Sequence, residues 1–137
     1  PWLIRRFVDP KAQFMFVAPS EVLAVAEKFD AIPFDVDGAE LSHGEGTCSF
    51  DALLKRFELD LPALNTMASV IRAADGTPNA EAPEAAGLIA ISLGLSRMYR
   101  DDLAQLDAAM PIYDALYRWA RDAQGESHEW DAHGGKT

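Results

Sequence analysis

The sequence predicts a single, mostly helical α+β domain with a small two- or three-stranded sheet. Three observations predict it. Apolar residues recur at helical spacing over most of the 137 residues. Two short aromatic and β-branched segments, "AQFMFVA" (12–18) and "IPFDV" (32–36), read as buried strands. Polar, glycine- and proline-containing stretches separate the periodic segments.

The elements follow in order. Residues 2–8 form a short helix or turn that ends near Asp9-Pro10, because a residue before proline avoids the helical region. The segment 12–18 is the first strand candidate. Ser20 then caps a helix that carries Val22, Val25, Ala26 and Phe29 at helical spacing. With 32–36 as the next strand, the order strand–helix–strand predicts a small crossover unit. "DGAELSHGEGT" (37–47) is a polar loop, after which Ser49 caps a helix bearing Phe50, Leu53, Leu54 and Phe57. Leu64, Met67, Ala68 and Ile71 mark another amphipathic helix, closed by the turn-rich "DGTPNAEAP" (75–83). "EAAGLIAISLGL" is apolar almost all round, which predicts that the helix over 84–99 is the most buried one. Leu103, Leu106, Met110, Tyr113 and Tyr117 form the stripe of a last helix, which Pro111 is expected to kink or divide. Residues 1–124 make up the domain, and 125–137 form a polar, flexible tail.

Composition narrows function. Lys and Arg number 12 against 22 Asp and Glu, a net charge of −10 at pH 7. Affinity for nucleic acid comes largely from cations neutralising phosphates, so no direct nucleic-acid binding is expected. No apolar run is long enough to span a bilayer, so no membrane association is expected. Cys48 is the single cysteine, which rules out an internal disulfide and four-cysteine zinc sites and fits a reducing, cytoplasmic setting. The sequence starts at Pro1 rather than at a methionine, which leaves an upstream domain or a partner protein open.

Chemistry concentrates in a few places. "ELSHGEGTCSFD" sets Glu40, His43, Cys48 and Asp51 within twelve residues, in a loop entering a helix N-terminus. Backbone N–H groups there favour anions, and a thiol there can ionise more readily. Glu40 and His43 are the candidate ligands for a divalent metal ion, the candidate cofactor. The plain alternative is a surface loop with a capped helix start and a half-buried cysteine. In "SRMYRDD" (96–102), Arg97, Arg100, Asp101 and Asp102 are explained by helix-end electrostatics. Arg72 and Asp75 read as an i,i+3 pair. His128 and His133 lie in the tail. No phosphate-binding loop, dinucleotide fingerprint, HExxH or G-x-S-x-G motif is present.

Arg5 and Arg6, in "PWLIRRFVDP", are two of the few cations and lie inside an apolar stretch. Either they reach solvent from an amphipathic turn, or they hold a carboxylate or an oxyanion.

Five ordered stretches, "PWLIRRFVDPKAQFMFV", "PFDVDGAELSHGEGTCSFDALL", "IRAAD", "GLIAISLGLSRMYRDD" and "YDALYRWARDAQ", resemble the C-terminal domain of the chromate-resistance protein ChrB family, from Pro1 to about Gln124. The resemblance implies a role in bacterial chromate resistance, often beside a chromate efflux transporter. Some members are chromate-responsive transcription regulators, and others join this domain to rhodanese-like modules. Chromate or a related oxyanion is then the expected partner. Arg5 and Arg6 match the family's paired arginines and become the first choice for a cationic site, with His43, Cys48 and Asp51 as the remaining ligand-binding candidates. Adjacent helical residues point about 100° apart, so one arginine is expected to bind the ligand while the other ties the segment to Asp9, Asp35 or Asp51. Three functions remain open: a ligand-sensing or accessory domain, a metal-dependent or redox enzyme using the 40–51 loop, and a structural interaction module.

Overall fold

Leu64, Met67, Ala68 and Ile71 recur every three or four residues, and the helix they define is the centre of the molecule. The computed structural model describes residues 1–42, 44 and 46–126. Six α-helices occur among them: α1 (Trp2–Phe7), α2 (Val22–Phe29), α3 (Ser49–Arg56), α4 (Pro62–Ala74), α5 (Ala85–Met98) and α6 (Asp102–Arg118). A 3₁₀ turn, Pro19–Glu21, leads into α2, and a π turn, Trp119–Ala123, extends α6.

Helix α4 starts with proline in its first turn, where the missing N–H costs nothing. It buries Ala63, Leu64, Met67, Ala68, Val70 and Ile71 and packs against α3, α5, α6 and the π turn. Trp2 and Leu3 from α1, Cys48, Phe50 and Leu53 around α3, Leu88 from α5 and Met110 from α6 complete one core with it. Gly76 stops the helix. Its φ of +74° lets its N–H reach Ala73 O at 3.2 Å and the Thr77 N–H reach Arg72 O at 3.0 Å, the paired capping bonds that a left-handed residue makes possible. Capping also accounts for the α5–α6 junction, where the Asp101 carboxylate accepts the Ala104 N–H at 3.1 Å.

The structure corrects the predicted fold class. Among the described residues the architecture is all-helical, with no strand and no sheet. Segment 32–36 contributes one isolated parallel bridge, Phe34 with Leu41, in which the Asp35 N–H donates to Leu41 O at 2.8 Å. Asp35 has a φ of +58°, which ends the extended run. Segment 12–18 belongs to no strand, and Met15, Phe16 and Val17 are exposed. Strand preference reflects packing against neighbouring strands, and among the described residues no neighbouring strand exists for these residues to pack against.

One further expectation changes. Helix α5 is not the most buried helix: only Ala85 and Leu88 are buried in it, while Ile89, Ile91, Leu93 and Met98 are exposed. An apolar circumference states a demand for cover, not which element supplies it, and α4 occupies the centre instead. Helix α6 is one helix from Asp102 to Arg118 with Pro111 inside it. Pro111 lies on the solvent side, where water can satisfy the carbonyl one turn earlier. Of the expected tail, residues 127–137 lie outside the described residues, as do His128 and His133. No helix among the described residues is long and apolar enough to cross a membrane.

Candidate functional site

Cys48 is the N-cap of α3, and Ser49, the expected cap, is the first helical residue. Asp51 sits three residues on and turns back. Its Oδ2 accepts the Cys48 backbone N–H at 2.9 Å and the Cys48 thiol at 3.3 Å. Its Oδ1 pairs with Arg72 of α4, whose other amine donates to Ser69 Oγ at 3.1 Å. The carboxylate therefore serves the helix start and the α3–α4 contact together. Ser49 Oγ donates to Asp35 Oδ1 at 2.8 Å, which ties the bend at Asp35 to the same helix end.

This geometry works against ready ionisation of the thiol. Cys48 is 0% exposed. Burial pushes its pKa up to about 11, and the Asp51 side chain beside it adds to the rise. A helix N-terminus lowers a thiol pKa only where its field is not outweighed by desolvation and a neighbouring anion. Glu40 is exposed, next to buried Leu41. His43 lies outside the described residues. Among the described residues, no three His, Cys, Asp or Glu side chains gather where they could hold a metal ion.

The paired arginines form a second constellation, on α1 and α6. Arg6 places Nε and Nη2 on the two carboxylate oxygens of Asp114, both at 2.9 Å. Trp2 Nε1 donates to Asp114 Oδ1 at 2.8 Å. These hydrogen bonds, Arg6's first, hold the Asp114 carboxyl below the usual carboxylate range. Trp2 continues into a ring cluster with Phe7 at 5.7 Å, Tyr117 at 5.8 Å and Tyr113 at 6.3 Å between centroids. Arg5 is held more loosely. It makes one bond, Nη1 to Asp107 Oδ1 at 3.2 Å, and its guanidinium stands 5.1 Å from the Phe14 ring centroid.

The structure thus divides the candidates: Cys48 and Asp51 join at the α3–α4 contact, while Arg5 and Arg6 face two different carboxylates of α6. Asp107 and Asp114 are seven residues apart, roughly 10 Å along a helix, so the arginines diverge. Neither shows a hydrogen bond to the expected Asp9, Asp35 or Asp51. Sequence reasoning missed two residues and one pairing. Arg72, read beside Asp75, pairs with Asp51. Asp107 and Asp114 escaped notice although their heptad spacing, flanking the apolar stripe at Leu106, Met110 and Tyr113, was readable.

Phe14 links Arg5 to an apolar groove of about 650 Å³, lined among others by Ile4, Phe14, Val25, Phe34 and Leu41. The unpaired segment 12–17 is one wall of it and the bend at 31–36 another.

Comparison with known proteins gives two matches. The family model for the ChrB C-terminal domain matches residues 1–120. Protein ChrB of Cupriavidus metallidurans is 38% identical over 120 residues, covering 85% of this chain and 35% of that protein. The chain therefore spans about a third of that relative's length. No solved structure matches.

Proposed function

The chain belongs to the ChrB C-terminal domain family, and from that membership we propose that it is an accessory or sensing domain of chromate resistance that registers an oxyanion at Arg5. The observation that carries this reading is the inequality of the two arginines. Arg6 is closed by a two-pronged pair with Asp114, and Trp2 braces the same carboxylate. Arg5 has one long bond to Asp107, a side chain 73% exposed. The Arg5 side chain itself is 23% exposed, so one face of its guanidinium is open, and a single bond to so exposed a carboxylate contributes roughly 0–1 kcal/mol and yields to a competing anion. Chromate is a tetrahedral dianion, and the remaining guanidinium N–H groups of Arg5 suit its oxygens. Any shift of Arg5 is felt by Phe14 and hence by the groove wall, which supplies a route from anion to conformation.

The test is calorimetric titration with chromate and, as a redox-inert counterpart, sulfate. Arg5→Gln is expected to weaken binding roughly tenfold or more, about 1.4 kcal/mol. Arg6→Gln is expected to keep most of the affinity and lose thermal stability instead. Equal affinity in wild type and Arg5→Gln would refute the reading. So would the absence of saturable binding up to about 1 mM, a free energy of roughly −4 kcal/mol.

The enzyme reading draws little from Cys48, whose thiol is buried and resists ionisation. The interaction-module reading has one specific observation behind it, the exposed apolar face of α5.

A further inference from the structure

Helix α5 touches α4 and α6 along a narrow seam that includes Ala85 and Leu88, and the rest of its circumference faces outward. Up to Ser96 the outward residues are apolar or small, and Arg97 in the last turn is an exposed cation on the same helix. Leu93 is 60% and Met98 72% exposed, with Ile91 at 47% and Ile89 at 40%. From Ala85 to Ser96 the helix carries no ionisable side chain. The whole chain has a net charge of −10.

We propose that this outer face of α5 pairs with α5 of a second copy of the chain, forming a two-fold homodimer. The inference is independent of the oxyanion reading. Three arguments select a second copy as the occupant. The first is charge. Two acidic chains repel over most of their surfaces, and α5 offers a stretch where they meet without desolvating like charges. The second is shape. Gly87 and Gly94 lie seven residues apart on the outward side, and a Cβ at either position would find nothing within 4 Å. The same helix therefore carries both knobs (Ile91, Leu93, Met98) and gaps, the self-complementarity that a two-fold interface needs. An antiparallel crossing centred between Ala90 and Ile91 sets Gly87 of each copy opposite Gly94 of the other, and lets the backbones approach closely. The third is area. Specific interfaces begin at on the order of 1,000 Å² buried over both partners, and the exposed Ile91, Leu93 and Met98 of two copies, with the small residues between them, supply the apolar part of such an area.

Sedimentation equilibrium on the purified chain, without chromate, tests this. Wild type is expected to show a monomer–dimer equilibrium with a dissociation constant of about 50 μM or tighter. Leu93→Glu buries a charge on each side and Gly94→Leu fills the gap. Each is expected to raise that constant at least roughly tenfold while leaving the circular dichroism spectrum of the monomer unchanged. Val17→Glu, an exposed apolar position on the groove wall, and Arg5→Gln are expected to leave it unchanged. A chain that stays monomeric up to about 1 mM overturns the proposal. A dimer insensitive to both α5 variants, or one abolished equally by Val17→Glu, also overturns it.

Discussion

Cys48 donates its thiol proton to a carboxylate from a fully buried position, and two consequences follow for its chemistry. At pH 8 a thiol with a pKa of about 11 is thiolate roughly 200-fold less often than one at about 8.5. Alkylation by iodoacetamide is therefore expected to be at least that much slower in the native protein than in denaturant. Equal rates would show that the site opens freely. The raised pKa also sets a sign. The stability held in the neutral thiol is fully present below the unfolded value near 8.5 and is lost as pH rises toward 11. Cys48→Ala is expected to flatten the alkaline limb of a stability profile. Asp114 behaves oppositely, because Arg6 lowers its pKa. Its contribution is present above the unfolded value near 3.9 and disappears as pH falls through the lower folded value. Asp114 is 41% exposed, so Asp114→Asn is expected to cost no more than about 1 kcal/mol at pH 7, with the difference vanishing as pH falls through the lowered folded value. A difference that persists in acid would assign the effect to packing around Trp2 instead.

Burial separates the helices sharply. Met67 of α4 is 0% exposed, and Met67→Ala is expected to cost about 2–5 kcal/mol in denaturant unfolding. Leu93→Ala, on the open side of α5, is expected to stay within about 0.5 kcal/mol at concentrations where the chain is monomeric. The reverse ranking would restore α5 to the centre. Asp51 is what joins α3 to α4. Asp51→Asn weakens the helix cap and leaves Arg72 without its counter-ion, and about 2 kcal/mol is expected, allowing for the partial exposure of the pair. Pairing it with Arg72→Gln in a double-mutant cycle should show coupling. Additive losses would mean that the cap alone matters.

Taken as a whole, the chain is an acidic helical bundle around α4 with an apolar groove on one side and an uncovered apolar helix on another. With a net charge of −10, it is expected to show no tight binding to duplex DNA at physiological salt by fluorescence anisotropy, and nanomolar, sequence-specific binding would contradict that. Sequence by itself determined what local physics controls. The amphipathic stripe of α4, the turn at 75–83 that closes it and the charged α5–α6 junction each depend on residues within a turn or two of one another, and they appear where the periodicity and turn residues put them; the start of α3 falls one residue earlier than expected, with Cys48 rather than Ser49 as the cap. The family was legible for the same reason, since ordered stretches of residues carry it. Only the tertiary structure decided whether segments 12–18 and 32–36 had strand partners, which of two apolar helices took the centre, and which carboxylates the arginines met. Arg72 pairs with Asp51, 21 residues earlier, and Arg5 and Arg6 reach across to α6, more than 100 residues away in the chain. A strand needs a neighbour, a buried face needs a cover and an ion pair needs two elements brought together. In each case the deciding partner is distant in sequence, so local pattern states the requirement and packing chooses what meets it.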